Sequence, residues 1–286
     1  MSNVSVVIAT RNRVDALALT LPRLLALPER PPLVVVDNGS DDATVAMVRA
    51  RFPEVRLVAL GRNGGAVARN FGVAAATTPY VAFADDDSWW APGALRTAET
   101  LFEGYKRLAL IAARVLVGPE EKLDPTSAQM ATAPLGHQPD LPGPSVSGFL
   151  ACGAVVRRDA YLAAGGFDPI VFFMGEETRL AYDLRSAGWG LVYRDDVVAH
   201  HHPTGDGPGL EKRALLAGNA VLTAWMRRPV PVALGATARL LRGGWHDRAT
   251  RRGLRRLVVR LPSALAARRA PHPVVEAELA RADRVP

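Results

Sequence analysis

Three consecutive carboxylates, Asp85-Asp86-Asp87, follow directly on the apolar run Tyr80-Val81-Ala82-Phe83-Ala84. Carboxylates at the end of a buried strand are costly unless something compensates their charge. A divalent cation does so: Mg²⁺ or Mn²⁺ takes oxygen ligands, commonly one or two protein carboxylates together with substrate phosphates. The plainer reading is that the aspartates cap a helix over 88–92, with Trp89 and Trp90 as core or as a shield against water. Two further acidic groups stand apart in sequence: Asp37-Asn38-Gly39-Ser40, whose carboxylate and amide suit a base or ribose edge and equally suit a cap, and the pair Glu176-Glu177. A carboxylate pair offers a general base to an acceptor hydroxyl, or else a solvated first turn favoured by the helix dipole. His200-His201-His202 closes the set, as a metal-capable imidazole or as surface loop.

The chain positions these groups by a repeated pattern. Val4–Ala9 is a short β-branched run closed by Thr10-Arg11-Asn12-Arg13, and 15–27 carries leucines at helical spacing, with Pro22 expected to kink that helix or delay its start. Strands at 33–36, 55–60 and 80–84 alternate with helices at 43–51 and 66–76, which predicts right-handed crossovers and a mostly parallel sheet covered on both faces. Ligands of such sheets bind beyond the carboxyl ends of the strands. Thr10–Arg13, Asp37–Asp42 and Asp85–Asp87 all fall there. Gly64-Gly65 opens a helix that could face a phosphate, but there is no Walker pattern and no Gly-x-Gly-x-x-Gly after the first strand.

Farther on, a helix over 92–105 and a strand over 108–117 precede residues 118–146, whose six prolines and lack of period read as a long surface loop. A buried strand is expected over 147–156, a short helix over 159–164, a helix over 176–187, and two strands at 191–193 and 197–199.

Composition narrows the class. At 286 residues and about half apolar, the chain can bury a substantial core. The single cysteine, Cys152, excludes an intrachain disulfide and reads as a small core residue rather than a nucleophile. No run is long and apolar enough to span a membrane, and the start lacks the features of a signal peptide, so a cytoplasmic protein is expected. The net charge of +7 is uneven: fourteen arginines against four carboxylates between Arg227 and Pro286 carry +10, leaving −3 on residues 1–226. That division suggests a domain over 1–226 and a basic helical extension over 227–286. The extension mixes arginine with aliphatics as interfacial helices do, which predicts peripheral contact with the inner face of a membrane, or else a solvated helix packed on the body. Without interleaved aromatics it is not read as a nucleic-acid binder.

Taken in order, Val-Ser-Val-Val-Ile-Ala-Thr-Arg-Asn-Arg, Val-Val-Asp-Asn-Gly-Ser-Asp-Asp, Gly-Gly-Ala-Val-Ala-Arg-Asn-Phe-Gly, Phe-Ala-Asp-Asp-Asp and Gly-Glu-Glu-Thr-Arg-Leu-Ala-Tyr-Asp-Leu-Arg-Ser-Ala-Gly-Trp resemble the family 2 inverting glycosyltransferases of GT-A fold, including bacterial rhamnosyltransferase-like members. The resemblance spans about residues 3–225. It implies an α/β, Rossmann-like GT-A domain that moves a sugar from a nucleotide-diphosphate donor to an acceptor hydroxyl, with Mn²⁺ or Mg²⁺ as cofactor. By the same resemblance Ala9, Thr10 and Arg11 line the nucleoside pocket, Asp37 faces the base, and Arg69 lies near base or phosphates. Asp85 and Asp86 lie near ribose and diphosphate, and Asp87 and His200 hold the metal. Glu177, where the family carries an aspartate, is the base, with Glu176 orienting. The acceptor is a polyprenyl-linked cell-envelope glycan or a natural product. The rival classes are a sugar nucleotidyltransferase, which expects a Gly-rich loop after the first strand, and a non-catalytic nucleotide-sugar-binding protein held at a membrane.

Overall fold

The computed structural model describes residues 2–203, 209–243 and 247–283. Its strands are β1 (Val4–Thr10), β2 (Leu33–Asp37), β3 (Arg56–Ala59), β4 (Tyr80–Ala84), β5 (Ser88–Trp90), β6 (Leu108–Val117), β7 (Lys122–Leu123), β8 (Ala154–Arg157) and β9 (Gly190–His201). The helices are α1 (Val14–Leu25), α2 (Thr44–Arg51), α3 (Ala68–Ala75), α4 (Ala94–Gly104), α5 (Pro125–Ala131), α6 (Arg158–Ala163), α7 (Glu176–Ser186), α8 (Leu210–Arg227), α9 (Val230–Arg242), α10 (Arg248–Ala266) and α11 (Pro273–Ala282).

The strands form one sheet in the order β3-β2-β1-β4-β8-β6-β9-β5, with β7 beside β6. The half from β3 to β4 is parallel, because each strand is followed by a helix that returns the chain to the same edge. Beyond β4 the sheet is mixed: β8 runs antiparallel to β4 and β6, and β9 returns parallel to β6. Register aligns Thr10 with Asp37 and Ile8 with Ala84, so the polar residues following β1, β2 and β4 share one rim.

Both faces of the sheet are packed. Leu17, Leu21, Leu24, Trp90 and Phe102 fill one side, and Val73, Phe83, Tyr161, Phe167 and Leu180 the other. A third core, built from Val171, Leu222, Met226, Leu240, Leu257 and Ala264, joins α8, α9 and α10. Gly218 and Gly253 let α8 and α10 approach closely: a Cβ on Gly218 would lie 2.9 Å from the Gly253 carbonyl oxygen.

Several local expectations are corrected. Ser88–Trp90 is a strand paired with β9, not a helix capped by the aspartates. Pro22 does not delay the start of α1, which begins at Val14 and carries the proline inside its last turns. The stretch after β6 is not a bare loop: Asp124 accepts the Thr126 amide at 2.7 Å and Pro125 occupies the first turn, the start signals of α5, which docks by Ser127 Oγ accepting the Val115 amide at 3.1 Å. The buried strand expected over 147–156 begins only at Ala154, after a 3₁₀ turn over Ala151–Gly153. The two strands expected near the end of the domain are one, β9, interrupted where its register with β6 jumps from Ala113↔Arg194 to Arg114↔Val198.

Many tail arginines face inward. Arg228 Nε donates to Glu276 Oε2 at 2.8 Å and its Nη2 to Asp283 Oδ2 at 2.8 Å, tying α11 to the end of α8. Arg256 Nη2 donates to the Val171 carbonyl at 2.6 Å, and Arg260 Nη1 to those of Pro169 and Ile170 at 2.6 and 2.9 Å. Among the described residues no helix is long and apolar enough to cross a membrane.

Candidate active site

The rim formed by β1, β2 and β4 opens into a cleft of about 720 Å³. Ala9, Thr10, Arg11, Arg69, Asp85, Asp86 and Asp87, all expected from sequence, line it. Asp37, paired with Thr10 across the sheet, is buried behind the rim. Its Oδ2 accepts the Ser40 amide at 3.2 Å while its Oδ1 has no partner. Asn38 does line the cleft and clamps the glycine loop, accepting the Gly64 amide at 2.7 Å and donating to the Gly65 carbonyl at 3.0 Å.

Each aspartate has its own partners. Asp85 pairs with the buried Arg69 guanidinium. Asp86 accepts from Thr10 Oγ1 at 2.9 Å and Arg13 Nε at 3.1 Å, and its backbone carbonyl accepts from Thr20 Oγ1 at 2.7 Å. Asp87 accepts from Arg13 Nη2 at 2.9 Å and lies 3.4 Å from His201 Nε2. The Asp85 amide donates to Ser88 Oγ at 2.7 Å, which closes the turn and starts β5. Burial, then the charge of Asp85, pushes the Asp86 carboxyl up to about 6 against the hydrogen bonds from Thr10 and Arg13. Asp87 is held below the usual carboxylate range: burial works the other way, but the His201 hydrogen bond and charge, with Arg13, outweigh it. His201 is correspondingly raised, burial being overcome by Asp87 and Asp85.

His200, expected as a metal ligand, is placed away from the aspartate turn. Its Nδ1 meets Glu121 Oε1 at 2.8 Å and its ring stacks on Trp89, which Arg23 covers from 3.9 Å. The pairing of β5 with β9 sets Ser88 against His201, so His201 is the imidazole next to the aspartate turn. Asp85, Cys152 and His201 each bring a potential ligand atom within 4.8 Å of the others. With Asp87 beside His201, these carboxylate and imidazole donors fit Mn²⁺ or Mg²⁺, whereas the buried Cys152 thiol is raised well above its ordinary range and is not a ready anion.

Glu176 and Glu177 open α7 after Gly175 in the left-handed region (φ 87°). Glu176 is 2 % exposed with Oε2 unpartnered, while Glu177 is half-buried. Burial, then the charge of Glu177, pushes Glu176 up to about 8 against the pull of Arg69; burial likewise raises Glu177. Both glutamates feel Arg69 and Asp85, so the pair belongs electrostatically to the cleft.

Arg13 and His201, from the expected Thr10–Arg13 and His200–His202 clusters, line the walls, and Asn63, Phe172, Phe173, Met174 and Lys212, not singled out from sequence, complete them. The turn before α7 places Phe172 (φ 67°) and Met174 (φ 70°) in the left-handed region, a conformation that costs on the order of 1 kcal/mol or more per side chain. Its carbonyls are held from both sides. Phe172 O accepts the Ala66 amide at 2.6 Å, and buried Asn219 donates to Phe173 O and Met174 O, each at 2.7 Å. Asn219 Oδ1 in turn accepts from Arg256 Nε at 2.9 Å. The Phe172–Met174 turn carries no sequence signal beyond Gly175. 

Residues 5–163 match the sequence profile of Glycosyl transferase family 2. A pre-mycofactocin glycosyltransferase of Mycobacterium tuberculosis is 33 % identical over 79 % of this chain and 48 % of its own length, so the chain spans about half of that relative. An N-acetylglucosaminyl-diphospho-decaprenol L-rhamnosyltransferase of the same species is 27 % identical over 73 % of this chain and 82 % of its own. The mannosyltransferase PcManGT of Pyrobaculum calidifontis, solved with GDP-Man and Mn²⁺, superposes with a TM-score of 0.62 at 21 % identity, covering 98 % of this chain and 79 % of that one. S. aureus TarS residues 1–349 with UDP-GlcNAc gives 0.59 at 16 %, covering 97 % and 84 %. The fold is therefore the mixed α/β sheet of the GT-A glycosyltransferases with added C-terminal helices, and with the profile matched over more than half its length the chain belongs to glycosyl transferase family 2.

Proposed function

We propose that the chain transfers a sugar from a nucleoside-diphosphate sugar to an acceptor hydroxyl with inversion at the anomeric carbon. The observation that carries this is the meeting of Asp85, Asp87 and His201 on one cleft whose Arg69 and Asp85 also act electrostatically on the Glu176-Glu177 pair, which does not itself line the cleft. Ala9, Thr10 and Arg11 bound the nucleoside end, while Asp37 supports that end from behind the rim by accepting the Ser40 amide. Arg69 fixes Asp85 and adds positive charge where a diphosphate would lie. Asp85, Asp87 and His201 are the residues to hold Mn²⁺ or Mg²⁺; when bound, the ion neutralises charge developing on the leaving diphosphate.

Glu177 is the general base in this reading. Its carboxylate takes the proton of the acceptor hydroxyl as that oxygen bonds the anomeric carbon and the bond to the diphosphate breaks, so the electron pair leaves with the diphosphate. Such a base is worth on the order of a hundred- to ten-thousand-fold in rate. Partial exposure favours Glu177, since an acceptor must reach it, and Glu176, enclosed beside it, orients; burial raises both carboxyls and does not separate the two roles. The N-acetylglucosaminyl-diphospho-decaprenol for which the rhamnosyltransferase relative is named supports a lipid-linked hydroxyl acceptor here.

The test is release of nucleoside diphosphate from a panel of nucleotide sugars with Mn²⁺. Release that needs Mn²⁺ and is lost in Glu177→Gln, with donor affinity retained, is expected. Pyrophosphate release, or full turnover in EDTA, would sink the assignment.

A further inference from the structure

Helix α10 is amphipathic in an unusual sense. One face is committed to the protein: Gly253, Leu257 and Ala264 are buried against α8 and α9. The opposite face keeps aliphatic side chains in water, with Val258 70 % and Val259 77 % exposed, and α9 adds Leu234 at 54 % and Leu241 at 58 %. Leu241, Val258 and Val259 border a groove of about 980 Å³, together with Arg248, Arg252 and Arg255. Among the described residues no carboxylate borders it. The nearest in sequence, Asp247, is occupied as the α10 N-cap, accepting the Thr250 amide at 2.9 Å.

We propose that this face docks on a membrane surface carrying anionic lipid. Arg248, Arg252 and Arg255 are exposed, whereas Arg256 and Arg260, which brace the protein interior, are half-buried, so the surface cations are not a by-product of that packing. Aliphatics at the centre and arginine at the border, with no acid, match acyl chains below and anionic headgroups around, because long basic side chains reach the headgroup layer while their neighbours enter the boundary. A globular protein partner would meet the same aliphatics but would have to supply every countercharge from its own carboxylates. The site also has a consistent position. Gly253 packs against Ala214 and Gly218 of α8, so the arginine-bearing half of α10 lies beside the first turns of α8, whose Lys212 lines the cleft. The face is read from residues outside the cleft and stands or falls independently of the transferase assignment.

The experiment is co-sedimentation of the full chain with phosphatidylcholine vesicles with and without phosphatidylglycerol, at low and high salt. Binding only to the phosphatidylglycerol vesicles, weakened by salt, is expected. Neutralising Arg252→Gln or Arg255→Gln should lower partitioning about five-fold each. Val258→Glu/Val259→Glu, at exposed positions and checked by circular dichroism for unchanged folding, should lower it on the order of ten-fold or more. Failure to bind anionic vesicles, or a double variant that binds like the parent, overturns the proposal. So does a self-association that the same double variant abolishes in the absence of vesicle binding, which would give the face to a second copy of the chain.

Discussion

Arg256→Ala tests whether the C-terminal helices position the turn that leads into Glu176-Glu177, the pair proposed to hold the base. The side chain holds two acceptors, Val171 O and Asn219 Oδ1, and its guanidinium lies 5.9 Å from the Phe172 ring centre. Removing it leaves both acceptors without that donor in a setting where Val171 and Asn219 are fully buried. A buried group left unpaired costs about 1–3 kcal/mol; because Arg256 itself is half-buried and water can reach part of the gap, about 2–4 kcal/mol in total is expected. Against a typical stability of about 5–15 kcal/mol the variant folds, with a melting temperature lower by several degrees. The functional effect is larger than that loss implies. Asn219, no longer held by Arg256, is what fixes Phe173 O and Met174 O, and the turn they belong to leads directly into Glu176-Glu177. A displacement of about 1 Å in a catalytic group costs on the order of a hundred-fold. Steady-state nucleoside-diphosphate release should show kcat down at least ten-fold with donor affinity, measured by calorimetry, changed far less, and Arg256→Lys should restore only part of it. An unchanged kcat in a folded variant whose melting temperature has fallen as expected would refute the positioning argument.

Three further outcomes follow from the site. Asp87→Asn and His201→Gln should each weaken Mn²⁺ binding, followed by electron paramagnetic resonance, while His200→Gln leaves it within two- to three-fold; the reverse pattern would return the ligand role to His200. Gly65→Ala places a Cβ 2.3 Å from Phe172 O at a φ of +62°, so it should cost at least about 1–3 kcal/mol and weaken donor binding. Glu176 has a folded pKa raised by burial to about 8, so the native state keeps a proton that the unfolded state releases in the ordinary glutamate range. Stability from this group is therefore full at acid pH and falls as pH rises toward and through about 8. Urea midpoints measured across that window should fall less steeply in Glu176→Gln than in the parent, and parallel profiles would remove Glu176 as the cause.

The parallel half of the sheet and its rim were legible because each feature is local. A β-branched run fixes a strand, the polar residues after it fix the strand's end, and parallel register puts successive ends together, which is why Thr10, Asp37 and Asp85 could be grouped before any coordinates. What stayed hidden depends on distant partners. Which histidine meets Asp87 turns on the irregularity between Arg194 and Val198, which breaks the alternation of β9: Val192 lies in the same core as Val197 and Ala199 although their numbers differ in parity. Counting along the strand cannot carry a side chain's face across such a bulge. The helix α5 was missed for another reason, since six prolines masked the Asp124-Pro125 start that in fact specifies it.

The tail shows most clearly why charge alone misleads. Its arginines suggested a surface, yet Arg256 and Arg260 spend their donors on the carbonyls of Val171, Pro169 and Ile170, more than eighty residues upstream. Such carbonyls need partners because the turn after Phe167 is neither helix nor strand and cannot satisfy them itself. Five donors on a rigid plane make arginine the efficient solution. The same turn is gripped from beneath by Ala66 and limited by Gly65, both in the loop that Asn38 clamps at the donor cleft. The left-handed residues Phe172 and Met174 persist because these contacts over-determine them. One short turn thus joins the Gly64-Gly65 loop, α7 and the C-terminal helices, so a disturbance in α10 reaches Glu177 through a chain of named hydrogen bonds rather than through the sheet.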